Sequence, residues 1–452
     1  MNKIRLTNIT NNEIFTYSTI LIKGLVDSHD ESNIILKHYS HNGKQLAESR
    51  WTVNKNKFKI IIELKIGDNM LVFKFANEVL HTKLVYKQRV TNYTVCPVYV
   101  ICADHDGRFQ APVDHDNSVQ NACTKITLCS KLIQMLTAEK MYEKGFGKKT
   151  FKVEKECRII KSSLTRRTVF NMHPEKLWEY IARELTAGQN SKTQKYLAFL
   201  SCTYWDGQNL HGHVALGGGG LALFGTGCLY TWPSKLEEVL PCFMNMAKVD
   251  TGTLLDDSCF STTLGSVWHE LGHTFDLGHS KYGIMGRGFD NVHLIFTLDN
   301  KNIAQEIKPA NKGYIICIEN YSNTINMKDD MSNNNNTNEN ENETIDEYDS
   351  KHIICWSMGC ASILSFHKWF NDFKEENNNE HTIDYVAKRN LLTSRNGLRV
   401  VQLRREDGLV MHSWEFVKNN NKRTFILPVQ LANNGITIIA EDSYGNILKH
   451  LL

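Results

Sequence analysis

SVWHELGHTFDLGHSKYGIMGRGF, residues 266–289, is the stretch of this chain whose residue types and spacing say most. His269 and His273 stand four apart, a spacing that on a helix stacks two imidazoles on one face. Ring nitrogens placed that way can meet one divalent metal ion at about 2.0–2.1 Å. Glu270 is rotated around the same helix, where its carboxylate can reach a water at the metal without becoming a ligand. A structural metal site is closed by four protein ligands, whereas a reactive one keeps a position open. His279, ten residues after His269, is the candidate third ligand, and the helix must end before its ring can swing back. Asp276 and Gly278 lie where the chain would turn, and Asp tolerates left-handed backbone better than most residues.

Working outward, the segment before this helix alternates strand-like and helical patterns. TVCPVYVICA (94–103) is a continuous apolar run, as in a strand buried on both faces. Residues 123–145 carry apolar residues at helical spacing and stop at Gly145, and residues 173–188 repeat that pattern before the strand-like KYLAFLSCTYW (195–205). Such alternation predicts an α/β (α+β) core, which we place over residues 91–385. Residues 323–350 are polar, acidic and low in complexity, so within that core they read as a disordered insertion. Residues 1–90 contain short alternating runs (FTYSTILIKGLV, FKIIIELKI, MLVFKFA) separated by turn clusters, the pattern of an immunoglobulin-like β-sandwich. The pattern returns at 386–452 with LRVVQLRRE, RTFILPVQLA and ITIIAEDSYGNIL, read as a second β-sandwich module. The expected molecule is multidomain, its α/β core flanked by a β-sandwich module on each side.

Composition excludes some classes. The 452 residues carry a net charge of +3, with 41% apolar and 22% charged residues, which gives no reason to expect nucleic acid or an anionic membrane as partner. No window approaches the ~18 apolar residues of a membrane-spanning helix, and MNKIRLTNITNNEIF lacks the apolar segment of an export signal. The 12 cysteines are scattered without a CxxC pair. Reduced thiols in a cytoplasmic protein are the expectation.

HELGHTFDLGH followed by YGIMG resembles the metzincin signature, HExxHxxGxxH with a methionine turn. More narrowly, the chain is similar to a family of zinc metalloproteinases from fungi and animals that pair such a core with β-rich modules. The resemblance implies one Zn²⁺ per chain held by His269, His273 and His279, with Glu270 as general base and Met285 packed beneath the metal. It implies hydrolysis of peptide bonds in a peptide or protein substrate. Asp276 departs from the pattern, which has glycine there, and Arg287 stands where some metzincins place an extra tyrosine ligand. Upstream, Gly220, Leu221, Ala222, Leu223 and Phe224 form the expected strand that pairs with extended substrate, the plainer reading being a buried strand after a glycine turn.

Weaker signals are weighed against plainer readings. His211 and His213 could share a strand face and a second metal, but two histidines without further ligands are more often incidental. DHDGRF (104–109) lacks the late glutamate of a calcium loop and reads as a solvated loop. HKWF (367–370) reads as packing within the core. Two other functions fit the same residues: a zinc-binding interaction protein without activity, and a zinc hydrolase of a non-peptide amide. Retention of Glu270 argues against the first, since a scaffold needs ligands but no base. No partner for the β modules can be read from the sequence.

Overall fold

A computed structural model describes residues 4–27, 33–187, 192–244, 259–298, 353–372, 382–418, 422–431 and 435–452. The expected insertion at 323–350 lies outside the described residues.

The N-terminal alternation produces two sheets. Strands β1 (Ile4–Leu6), β3 (Thr19–Val26) and β6 (Lys57–Glu63) form one. The other runs in the order β2 (Glu13–Phe15), β8 (Glu78–Tyr86), β7 (Gly67–Phe75), β4 (Asn33–Ser40) and β5 (Gln45–Thr52). Alternate residues Leu71, Phe73 and Phe75 are buried, and the Phe58 and Phe73 rings approach to 6.3 Å between the two sheets. In β3 and β6, however, consecutive residues are buried: Ile20, Leu21 and Ile22, and Ile60, Ile61 and Ile62. A sheet buried on both faces needs a second neighbour, and that neighbour is the core.

The core sheet runs β10 (Lys152–Val153), β9 (Thr94–Ile101), β12 (Gln194–Leu200), β16 (Leu221–Gly225) and β15 (Ala215–Gly218), and β11 (Arg158–Lys161) also pairs with β9. All these pairings are parallel except β15–β16, so the edge strand β15 is antiparallel. A small hairpin, β13 (Tyr204–Trp205) and β14 (Leu210–His211), precedes it. All eight residues of β9 are buried, as its apolar run predicts. On one face Val98, Val100, Ala198 and Leu223 pack with Leu177, Ile181 and Leu185 of α3 (Pro174–Thr186), which follows the short α2 (Arg166–Asn171). On the other face Tyr99, Phe199 and Phe224 join α1 (Val119–Glu143), α4 (Val239–Met244) and α5 (Cys259–Thr274). That apolar cluster continues into the N-terminal sheets. Polar ties cross the same seam: Asn8 Nδ2 donates to Glu139 at 2.9 Å, and Lys131 pairs with Glu63 at 2.6 Å.

The C-terminal residues form β17 (Ile383–Val386), β18 (Leu391–Ser394) and β21 (Thr424–Ile426) in one sheet. A second sheet has the order β20 (Val410–Glu415), β19 (Leu398–Arg404), β22 (Thr437–Asp442) and β23 (Ile447–Leu451). The first strand thus begins at Ile383, slightly before the boundary drawn from sequence. These sheets enclose an apolar cluster of their own, while the helix Met358–Phe366 packs against β19, β20 and β22. Among the described residues no helix is long and apolar enough to cross a membrane.

Candidate metal centre

Helix α5 lies beneath the sheet edge, in contact with β15 and β16. It ends as the sequence requires. Phe275 and Asp276 donate backbone bonds to Gly272 and His273 at 2.9 and 3.1 Å, and Asp276 then adopts a left-handed φ of 62°. Lys195, buried on β12, donates its Nζ to the carbonyl of Thr274 and rests 4.3 Å from the Trp369 ring centre. A cation at the last turn complements the partial negative charge of the helix end.

The turn brings His269, His273 and His279 together, with their ligand atoms all within 4.8 Å of one another. The Nε2 of His273 lies 3.1 Å from that of His269 and 3.1 Å from that of His279. Each Nδ1 faces a backbone carbonyl: Ile284 at 2.7 Å for His269, Leu277 at 2.9 Å for His273, and Asp407 at 3.0 Å for His279. A carbonyl only accepts, so each Nδ1 carries the proton and each Nε2 presents a bare lone pair. Bare lone pairs brought this close, His273 against each of the other two, repel one another unless a cation sits among them. Ligand nitrogens about 2.0–2.1 Å from one zinc would stand about 3.3 Å apart, close to the two separations that involve His273. Burial holds His269 down to about 3 and His273 well below the ordinary imidazole range; the neighbouring imidazoles add to both shifts. His279 is lowered too, first by burial, so all three rings are neutral and able to bind metal.

Glu270 follows His269 on α5, and the amide of Gly217 on β15 donates to its carboxylate. Burial pushes the carboxyl up to about 8, and the Gly217 amide works against that shift. The strand crosses the helix so closely that a Cβ on residue 217 would stand 2.0 Å from the Glu270 carbonyl oxygen. Met285 is buried against Gly272 on the underside of α5, and Phe289 supports His269 with ring centres 4.9 Å apart.

The strand expectation needs correction. Leu221, Ala222, Leu223 and Phe224 are paired on both sides, with β12 and with β15, and Gly220 precedes them while its carbonyl accepts from Tyr196 N–H. They have no free backbone edge for a substrate. Among the described residues the outermost strand on that side is Ala215–Gly218, too short and glycine-rich for alternation to reveal. His211 and His213 are not brought into a metal cluster: His211 Nε2 bonds Asp206 at 2.6 Å, and among the described residues the triad is the only group of its kind. The DHDGRF segment is a loop in which Asp104 accepts from the Arg166 amide at 2.7 Å. Trp369 packs at 4.7 Å on Tyr93, as the packing reading of HKWF expects.

Sequence reading missed the surroundings of Asp276. Its carboxylate meets Lys449 Nζ at 2.5 Å and His367 Nε2 at 3.4 Å. Burial alone would raise this carboxyl, but His367, Lys449 and Lys195 hold it well below the carboxylate range. That use of a side chain gives a reason for aspartate where the motif has glycine.

The chain belongs to the family described as "Putative peptidase family", whose model matches residues 3–359. It is 28% identical over 334 residues to a Schizosaccharomyces pombe protein named "Putative zinc metalloproteinase", covering 66% of this chain and 54% of that one. A Saccharomyces cerevisiae protein with the same description is 26% identical over 344 residues, covering 65% of this chain and 49% of that one. The chain therefore spans about half the length of the curated relatives it matches. A crystal structure of OgpA from Akkermansia muciniphila aligns with 81% of this chain and 93% of its own at 13% identity, with a TM-score of 0.44.

Proposed function

We propose that this chain is a zinc-dependent metallopeptidase of the metzincin type that hydrolyses peptide bonds, with one Zn²⁺ held by His269, His273 and His279. The observation that carries the reading is three bare Nε2 lone pairs facing one another on and after a helix that also carries a buried glutamate held by the neighbouring strand. Bound there, zinc supplies Lewis acidity, which acidifies a water and polarises a carbonyl. Glu270 takes a proton from the attacking water and later delivers it to the departing amine. Among the described residues the outer edge of Ala215–Gly218 pairs with no strand; its Gly217 amide is taken by Glu270, and the remaining outward backbone groups would receive an extended peptide as a further antiparallel strand. Met285 shapes the floor under the imidazoles and takes no part in proton transfer.

The test compares wild type with Glu270→Gln for metal content and for cleavage of a broad peptide library. Both proteins should hold about one zinc, and only wild type should show chelator-sensitive cleavage. The variant should lose about 10²–10⁴-fold in rate, the usual contribution of a general base. Zinc in both with no cleavage by either would favour an interaction protein or a non-peptide amide substrate. A wild type that binds no zinc would end the proposal.

A further inference from the structure

His269 and His273 take their supporting carbonyls from Ile284 and Leu277, both nearby in the chain. His279 does not. It enters a short ladder with the turn between β19 and β20 of the C-terminal module. The His279 N–H donates to Gly408 O at 3.0 Å, the Val410 N–H donates to His279 O at 2.9 Å, and His279 Nδ1–H donates to Asp407 O at 3.0 Å. From the base of the same turn, buried Arg404 donates its Nη2 to the carbonyl of Asp276 at 2.7 Å, while Gln402 Oε1 holds its Nε at 3.0 Å. The seam is tight enough that a Cβ on Gly278 would stand 2.7 Å from both Arg404 Nε and Gly408 O.

We infer that the C-terminal module is a component of the metal centre: its β19–β20 turn holds His279 in place, with Arg404 as the positioning residue. The inference rests on reading the three histidines as ligands. Two of those ligands ride on a helix whose hydrogen bonds are its own. The third sits on irregular backbone whose N–H and C=O are satisfied by another module. The partner of a ligand's far ring nitrogen fixes its tautomer and aim, and losing such a partner typically costs 10–100-fold in metal affinity. Linkage then works in both directions. Docking of the turn tightens metal binding, and metal binding tightens docking by the same factor.

Hydrogen–deuterium exchange on the full chain, metal-free and with stoichiometric zinc, tests the coupling directly. Zinc should slow exchange across 269–285 and also, by about 10-fold or more, across 405–410 in the C-terminal module, where Val410 N–H bonds His279. Protection confined to 269–285 would overturn the inference. Absence of protection anywhere would instead remove the metal reading on which it rests. In chelator competition, Arg404→Met should bind zinc about 10–100-fold more weakly, Arg404→Lys should recover part of the loss, and the exposed Met411→Ala should match wild type. The Co²⁺-substituted Arg404→Met protein should show an altered visible spectrum, reporting a displaced ligand. A folded Arg404→Met with wild-type zinc affinity and Co²⁺ spectrum would also overturn it. Should that variant fail to fold, the exchange experiment on wild type still decides.

Discussion

At Gly217 a single hydrogen atom separates an aligned site from an obstructed one. The strand that carries the outer edge is also the one whose amide holds Glu270, and it can do both because residue 217 has no side chain. A methyl group there would lie 2.0 Å from the Glu270 carbonyl oxygen, so strand or helix must move. Displacement of a reacting group by about 1 Å can cost on the order of 100-fold. Gly217→Ala is therefore expected to lower kcat/KM by about that factor while zinc content stays at the wild-type level. Gly218→Ala, where an added Cβ meets nothing within 4 Å, is the matched control. Equal activity in the two variants would show that the close approach is irrelevant to Glu270.

The exit of α5 shows how an element is ended by groups far away in the chain. Asp276 takes the left-handed conformation that ends the helix, and its carboxylate then binds His367, of which 3% of the side chain is exposed, and Lys449. An aspartate in the unfolded chain titrates near about 3.9, and this one titrates lower when folded. Its contribution is thus complete above that unfolded value and is lost as pH falls through the folded one. Asp276→Asn keeps the tolerance for positive φ but removes the charge. The variant should be less stable than wild type by roughly 2–5 kcal/mol at pH 7. In urea titrations the gap should begin to shrink below about pH 4; a gap that stays constant into acid would sink the assignment. The spacing of His269, His273 and His279, and a turn at Asp276, were legible because they depend on local helix geometry. The partners of Asp276 were not, because residues 195, 367 and 449 meet it only through tertiary folding. RREDGL announces a turn at Gly408, but no local pattern says that the turn faces a histidine 129 positions earlier. Strand order is equally silent in sequence, and so LALFG read as an open strand although it is paired on both sides.

Across the whole molecule, alternation located both β-rich regions but could not say how independent they are. The apolar cluster under β3 and β6 runs without a break into α1 and α5, whereas the C-terminal sheets enclose a cluster of their own. The reason lies in Ile20–Ile22 and Ile60–Ile62, which are buried on both sheet faces where a solvated sandwich would alternate. Removing residues 1–90 would uncover the face of α1 that contacts β3 and leave buried Glu139 without Asn8. That truncated chain should be insoluble or should lose cooperative thermal unfolding, as read by soluble yield and calorimetry. A soluble truncation that unfolds in one sharp transition would mean that the shared core is dispensable.

The glycines at 217–220 have a consequence for turnover. Glycine weakens a strand because it gives up more backbone freedom and has no side chain to pack, so each residue of a peptide laid along Ala215–Gly218 would be gripped only lightly. An intact chain spanning the edge engages the whole short ladder at once. Once severed, each fragment keeps only its own share of those bonds, and the two pieces no longer reinforce one another. On that proposal such a site would shed its products readily.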